Sequence, residues 1–406
     1  MEARPEKKDL RIATVAIAAL YVGSTVLTPL YPIYRHVFGI SQLTITVVYA
    51  VYVVGNLTVL FLFGRLSDQI GRRVTTLVAF GLTLISALTF LLAYGTPGLL
   101  IGRAINGFAA GLGAGALTAW IAELEPRKDR ARAAVVASAG NLGGLAVGGV
   151  MSGLLAEYVA APLRTVFAVF IVALLVVSIL LLRVNETVAR KVHRVADLEL
   201  RPRVGVPPDI RFPFVAPACM AFAAFALGGF VSALIPGLIT QELHVANVAV
   251  VGGVVTVFFL VACLTAALSR KLRSWTAMFA GAACVFPAVA LLVCAELLRS
   301  MPLLIAASAV GGAAMALSYR GSLQVLNEIA PQDKRAEVVS AYLLMCYLGN
   351  SLPVLGVGLL TTILAPARAH EIFAAVVATL SLAAIVTGAA SRKRKQQQQA
   401  RVPQGV

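Results

Sequence analysis

The chain has 406 residues, of which 59% are apolar and only 13% are charged. A soluble domain carries about 25% charged residues, so this composition excludes an ordinary soluble protein. The net charge of +16 would fit nucleic-acid binding only if the basic residues formed one patch. Uncharged runs separate them instead, and each run is long enough to cross roughly 30 Å of hydrocarbon as a helix.

We therefore predict an all-α polytopic membrane protein with twelve transmembrane helices. The expected spans, in chain order, are 12–34, 43–63, 74–94, 99–122, 133–156, 165–182, 212–239, 246–269, 275–296, 301–325, 337–363 and 372–390. Lysine and arginine concentrate in alternate connections and in both tails. The exceptions are four residues in the other loops, Arg35, Arg164, Arg299 and Arg368, and two within spans, Arg103 and Arg320. This asymmetry predicts that both chain ends are cytoplasmic, and that the basic residues meet anionic lipid rather than nucleic acid.

The chain divides into four parts by composition. Residues 1–182 and 212–390 each hold six spans and predict two six-helix bundles. Residues 183–211 are polar and proline-containing, which indicates a cytoplasmic linker. Residues 391–406 are basic and glutamine-rich, which predicts a disordered cytoplasmic tail. In the first span, Pro29 and Pro32 predict a kinked or unwound outer end.

A charged loop, GRLSDQIGRRVTT at residues 64–76, separates the second and third spans. Gly64 and Gly71 allow the chain to turn tightly, Asp68 lies between them, and Arg72 and Arg73 open the next helix. This loop resembles the major facilitator superfamily signature GxLxDxxGRRxxx. The resemblance implies two bundles that rock about a central substrate site, with Asp68 as a conformational switch. The alternative from the residues alone is a solvated turn that caps the third span.

The two halves repeat each other at an offset of 205 residues. The same pattern follows spans 4 and 10, as Glu123, Pro126 and Arg130 and as Glu328, Pro331 and Arg335. Each Glu and Arg could form a gating ion pair or could cap a helix end, and the sequence leaves both open. Pro29 in span 1 is similarly echoed by Pro236 in span 7.

Arg103 is the only charge within the fourth span. A buried arginine costs on the order of 3 kcal/mol on insertion scales, so it is expected to face the bundle interior and to find a partner. Snorkelling to the headgroups is the alternative, and it is the preferred expectation for Arg320. Arg103, Gly107 and Gly111 also resemble the superfamily pattern RxxxGxxxG, which implies a role in proton coupling among drug exporters.

The fifth span contains GNLGGLAVGGVMSG. It resembles the exporter signature GxxxGPxxGG at four glycines, although Leu145 replaces the proline. The matching glycines are Gly140, Gly144, Gly148 and Gly149. Small residues at this spacing also serve close helix packing in general.

No aspartate or glutamate lies in the middle of a predicted span. The spans expected to line a cavity offer aromatic and amide side chains instead: Tyr21, Tyr31, Asn106, Phe222, Phe225, Phe230, Tyr319 and Gln324. Such a wall suits a lipophilic or amphipathic small molecule, with Arg103 serving proton coupling or substrate binding. A membrane enzyme would need acid, base or metal-ligand clusters that are lacking here, so no metal or cofactor is expected.

These observations predict a secondary transporter that exports a lipophilic molecule by proton antiport. The alternative is proton-coupled uptake of a small organic acid, with Arg103 as the partner of its carboxylate. We expect a multi-pass monomer in a bacterial inner membrane.

Overall fold

The computed structural model describes residues 7–188 and 204–401, and these ranges contain helices and no strands. Twelve helices within them are long and apolar enough to cross a membrane, which confirms the predicted fold class. In the first half the helices are α1 (Lys7–Thr25), α2 (Tyr31–Phe38), α3 (Gln42–Leu62), α4 (Leu66–Ile70), α5 (Arg72–Leu91), α6 (Thr96–Leu124), α7 (Arg130–Tyr158) and α8 (Pro162–Leu181). In the second half they are α9 (Arg211–Ala233), α10 (Ile235–Gly237), α11 (Val248–Leu268), α12 (Ser274–Leu297), α13 (Met301–Ile329), α14 (Arg335–Leu360) and α15 (Pro366–Arg401). Most of the predicted linker, residues 189–203, lies outside the described residues, as do 1–6 and 402–406.

Proline interrupts the first span of each half. The helix α1 ends at Thr25, and a 3-10 turn containing Pro29 precedes α2, as the sequence predicts. In the second half, α9 ends at Ala233, Pro236 stands in the short α10, and a π-helical turn follows at Leu238–Glu242. The missing proline N–H and the ring clash disfavour a continuous helix at both places.

The internal repeat is visible in the helix bounds. The helices α6 and α13 have 29 residues each, and both their first and last residues are separated by 205 positions. The helices α3 and α11 have 21 residues each, and both ends are separated by 206 positions. Each half also has its own large apolar cluster, with Trp120 and Phe167 in the first and Phe258 and Val285 in the second.

The two halves meet along the pairs α7 with α11 and α3 with α14. We call the end of the bundle opposite the two chain ends the outer face. Contacts in the outer part of these helices include Tyr49 Oη to Asn350 Oδ1 at 3.0 Å and the backbone N–H of Val248 to Glu157 Oε2 at 2.7 Å. Below the middle, a long hydrogen bond between described residues joins Cys263 Sγ to the Ala139 carbonyl at 3.9 Å.

The last helix differs from the predicted boundary at residue 390. The helix α15 continues to Arg401, where a disordered tail was expected. Lysine, arginine and glutamine are good helix formers, and the first proline after the span is Pro403. Arg394 also places its guanidinium 4.5 Å from the centroid of the Phe212 ring, which holds the extension against the start of α9.

Candidate functional site

The charged loop turns at Gly71, between the short helix α4 and α5. Gly71 has φ +103°, a conformation that favours glycine, and a Cβ there would lie 2.6 Å from Glu186 Oε2. Gly64 is different, because a Cβ would meet only the Leu60 carbonyl, at 3.0 Å. The turn therefore requires glycine at position 71 for two independent reasons.

Arg72 is the centre of a charge network at the end of the bundle that carries the chain ends. Its Nη2 lies 2.6 Å from Asp68 Oδ1 and 2.8 Å from Glu123 Oε1, and its Nη1 donates to Ser67 Oγ at 2.6 Å. Thr187 Oγ1 also donates to Glu123. Asp68 is half exposed, whereas the Arg72 side chain is 8% exposed. The buried guanidinium thus shares its charge between two carboxylates from different helices.

Glu186 completes this network, and the sequence analysis missed it. Its two carboxylate oxygens accept hydrogen bonds from the backbone N–H groups of Arg72 and Arg73, both at 2.9 Å. These are free donors at the first turn of α5, where a carboxylate is also favoured by the helix dipole. Arg73 Nη1 additionally donates to the Leu182 carbonyl at 3.4 Å. The end of α8 is thereby tied to the start of α5.

Of the two alternatives left open for Glu123 with Arg130 and for Glu328 with Arg335, the gating ion pairs are not formed among the described residues in this structure. Glu123 pairs with Arg72, and Glu328 accepts a 2.5 Å hydrogen bond from Ser274 Oγ. Arg130 and Arg335 are the exposed first residues of α7 and α14. Each glutamate belongs to the preceding helix and contacts the first turn of a neighbouring helix instead, which is closer than the arginine after the loop.

Arg320 does not reach outward for headgroups. Its guanidinium donates to the carbonyls of Ser269, Arg270 and Leu272 at the end of α11. The Ser269 carbonyl also accepts the backbone N–H of Leu272 at 2.8 Å, and a cation at this helix end complements the helix dipole. The expected snorkelling is replaced by capping of a neighbouring helix.

Arg103 lies inside the first half, with 1% of its surface exposed, which excludes snorkelling. Its Nη2 donates to Tyr31 Oη at 2.6 Å, and its Nη1 donates to the Ser24 carbonyl at 3.1 Å. The rings of Tyr31, Tyr49 and Tyr52 surround the guanidinium, with centroids 5.8 to 5.9 Å from Cζ. Arg103 Nε has no hydrogen-bond partner among the described residues.

The surroundings of Arg103 stabilise its charge without a carboxylate. Ser24 lies in the last turn of α1, where proline ends the helix and leaves carbonyls free. The negative end of that helix dipole and the tyrosine ring faces both stabilise a cation. No carboxylate forms a salt bridge with Arg103 within residues 7–188 and 204–401. The site therefore holds a full positive charge that only dipoles and ring faces compensate.

Four tyrosines meet where the two halves face each other. Tyr21 and Tyr52 come from the first half, and Tyr319 and Tyr347 come from the second, and their hydroxyls are close enough to interact electrostatically. All four side chains are partly exposed although they lie deep in the protein, so they line space between the halves.

The other predicted cavity residues are distributed unevenly. Gln324 is partly exposed, whereas Asn106 is 2% exposed and its Oδ1 has no partner among the described residues. Phe230 lies away from the tyrosine cluster, because it is buried against Phe373 and His370 near the outer face. Sequence periodicity found the helices that line the junction but not which aromatic side chains face it.

The glycines of α7 allow close approach on two faces. A Cβ at Gly144 would lie 2.2 Å from the Ala18 carbonyl of α1, and Gly140 and Gly148 face the same helix. A Cβ at Gly149 would lie 3.2 Å from the Gly252 carbonyl of α11, in the other half. The small residues thus fit α7 between its own bundle and the partner bundle.

The structure has two repeated helical bundles that are joined along two helix pairs. Tyrosines from both bundles line the space between them, and this arrangement is that of a polytopic membrane protein of the carrier type. The family model of the Major Facilitator Superfamily matches residues 13–354, and the chain belongs to that family of membrane transporters.

Relatives of known name match only part of the chain. Quinolone resistance protein NorA of Staphylococcus aureus strains Mu50 / ATCC 700699 and N315 is 24% identical over 151 residues, which is 36% of this chain and 38% of the relative. Among solved structures, a bacterial homologue of the human lysosomal transporter Spinster, in an inward-facing and unoccupied conformation, aligns with a TM-score of 0.65. It is 15% identical, and the alignment covers 94% of this chain and 93% of that one. That likeness concerns the fold alone.

Proposed function

We propose that this transporter exports lipophilic or amphipathic small molecules across a bacterial inner membrane in exchange for protons, acting as a monomer. The observation that carries the proposal is the group of four tyrosines contributed by both halves at their junction. Aromatic faces with hydroxyl groups at their edges suit compounds that are apolar with a few polar groups. The partial similarity to a quinolone resistance protein agrees with export.

The places where the halves touch support alternating access. Hydrogen bonds between them with nitrogen or oxygen donors lie in the outer part of the paired helices, for example at Tyr49 with Asn350. With both chain ends in the cytoplasm, the tyrosine cluster in this state would load substrate from the cytoplasm. Export would then require the outer contacts to open and the opposite ends to close.

The charged loop would act as the gate at the cytoplasmic end. Asp68 and Glu123 share Arg72 within one bundle in this state, and Asp68 remains half exposed. On closure, Asp68 would meet helix ends of the other half, where N–H groups and arginines stabilise a carboxylate. The exposed charges available at this end include Arg130, Glu328 and Arg335.

A second function is favoured by the unpaired charge of Arg103. Its guanidinium lacks a carboxylate partner among the described residues, so a substrate carboxylate could supply one after a local rearrangement. In that case the protein would take up a small organic acid together with protons. The two functions differ in substrate charge and in the direction of proton flow.

Proton movement in reconstituted vesicles tests both functions. We expect an imposed pH gradient to collapse when a lipophilic compound is added, and not when a small carboxylate is added. Arg103→Ala should lower this response at least about tenfold, because hydrogen bonds to a charged group contribute roughly 1.5–3 kcal/mol. Arg164→Ala, an exposed arginine at the outer face, is the matched control.

The same assay separates the alternatives. A response to carboxylates alone, with protons moving in the substrate's direction, would replace export by uptake. Asp68→Asn should slow the response while the protein still inserts, since the amide keeps the size of the side chain and loses its charge. An unchanged rate in that variant would remove Asp68 from the gate.

A further inference from the structure

A buried histidine and a buried glutamate pair in the second half, away from Arg103 and the charged loop. His370 Nδ1 lies 2.9 Å from Glu296 Oε2 and 3.0 Å from Glu296 Oε1, and both side chains are 6% exposed. The two residues are 74 positions apart, at the last turn of α12 and the first turns of α15.

Aromatic rings pack against the histidine. The Phe230 ring lies 5.1 Å from the His370 ring, at 76°, and packs against Phe373 at 4.6 Å between ring centroids. At this depth a carboxylate beside a neutral imidazole would leave one net negative charge buried. One added proton makes the pair net neutral, which removes much of the desolvation cost. The site is therefore built to hold a proton.

A cavity of about 300 Å³ gives this site a route to the outer face. His370 is part of its wall, together with Arg35 and Gln42 from the first half and Glu242 and Thr362 from the second. The cavity therefore lies between the outer ends of the two halves, where the contacts must separate when the protein opens outward. Opening would bring water from the outer side directly to the imidazole.

The charged groups near the pair leave it without another ionic partner. Arg35 and Glu242 line the same cavity, and Arg35 Nη1 donates to Gln42 Oε1 at 2.9 Å. Arg368 and Glu371, on the same helix as His370, pair with each other at 3.1 Å. Arg299 follows α12 and is exposed. Within the described part of the chain, no other charged side chain forms a salt bridge with His370 or Glu296.

We propose that His370 and Glu296 form a proton-binding site that is loaded from the outer face through this cavity. The inference rests on the proposed function, because it names the group that takes up the proton exchanged for substrate. The proton passes from water to the imidazole nitrogen while the outer face is open, so that an O–H bond breaks as the N–H bond forms and an imidazolium stands beside the Glu296 carboxylate. The net neutral pair keeps the proton when the outer face closes, and antiport then requires that the proton leave toward the cytoplasm before the outer face opens again.

Histidine NMR tests proton binding without any substrate. The chain has four histidines, so His36→Gln, His193→Gln and His244→Gln leave His370 as the only ring signal. We expect this signal to change with pH, and its midpoint to move when Glu296→Gln is added, because the carboxylate stabilises an imidazolium beside it. Glu371→Gln, one position after His370 and already paired with Arg368, should leave the midpoint unchanged.

A signal that does not titrate, or the same midpoint with and without Glu296, would overturn the proposal. Vesicles give the second readout. Glu296→Gln should lose most of the stimulation that an acidic outer side gives to transport, while exchange of substrate for substrate, which needs no net proton movement, continues. Equal loss of both activities would indicate a structural role and overturn coupling. A parent protein that moves no tested compound contradicts antiport, and the NMR titration then decides the proton site alone.

Discussion

Arg103 shows how a buried charge is accommodated by groups that carry no net charge. The Tyr31 hydroxyl and the Ser24 carbonyl accept its hydrogen bonds, and three tyrosine rings surround it. Tyr34, on the same helix as Tyr31, is as deeply buried, but its hydroxyl has no partner among the described residues. Removing the hydroxyl from each tyrosine in turn therefore measures what the hydrogen bond to Arg103 contributes, because the ring is kept in both cases.

Tyr31→Phe is expected to destabilise the protein and to impair transport, whereas Tyr34→Phe is expected to do neither. Loss of a hydroxyl bonded to a charged group costs about 1.5–3 kcal/mol, while removal of an unpaired hydroxyl is nearly neutral or stabilising. Thermal unfolding in detergent and the vesicle assay measure the two effects. Equal behaviour of the two variants would mean that the 2.6 Å contact with Arg103 contributes nothing.

The sequence drew attention to individual residues where one residue differed from its neighbours or matched a motif. Arg103 is the only charge in its span, and Asp68 lies in a recognisable loop motif. Glu186 and the pair of His370 with Glu296 gave no such signal, because their roles come from contacts between distant helices. Phe230 was predicted to line the cavity because it lies on a cavity helix, but its side chain is buried in the core.

The helix α7 couples packing within one half to contact between the halves. Gly144 faces α1, and Gly149 faces α11 across the junction. Without a strong hydrophobic drive between helices in lipid, close backbone approach provides much of the attraction. The proline missing from the exporter signature, replaced by Leu145, leaves α7 a continuous helix of 29 residues.

Neighbouring glycines on α7 provide a matched test of this packing. Gly144→Ala would place a methyl group 2.2 Å from the Ala18 carbonyl, so α7 must move away, at a cost of about 1–3 kcal/mol. Gly143→Ala meets nothing within 4 Å and should be neutral or stabilising by up to about 1 kcal/mol, from helix propensity. Thermal unfolding of both variants measures the difference, and equal stability would show that α1 and α7 do not need glycine at their contact.

Elements were predicted better than their ends. Hydrophobic length located twelve spans because lipid requires long apolar helices. The observed bounds differ from the predicted ones in two places. Pro236 breaks the seventh span, and α15 continues through polar residues to Arg401. Hydropathy indicates where a helix leaves the hydrocarbon, whereas helix propensity decides where the helix ends.

At the scale of the whole molecule, the proposed function depends on two bundles that separate at one end at a time. The contacts at the outer ends include polar and small residues, such as Tyr49 with Asn350 and Thr46 with Gly358. The internal repeat in helix bounds supports a rocking motion in which the halves move as similar rigid bodies.

A cross-link between Thr46→Cys and Gly358→Cys should hold the outer face closed and stop transport. A Cβ at Gly358 would lie 3.0 Å from the Thr46 Cβ, so a shift of roughly 1 Å reaches disulfide geometry. The five native cysteines, all free, are first replaced by alanine or serine. Oxidation should abolish transport, reduction should restore it, and each single-cysteine variant should be insensitive to both treatments. Continued transport by the fully cross-linked protein would mean that α3 and α14 stay together through the cycle, and that the substrate leaves by another opening.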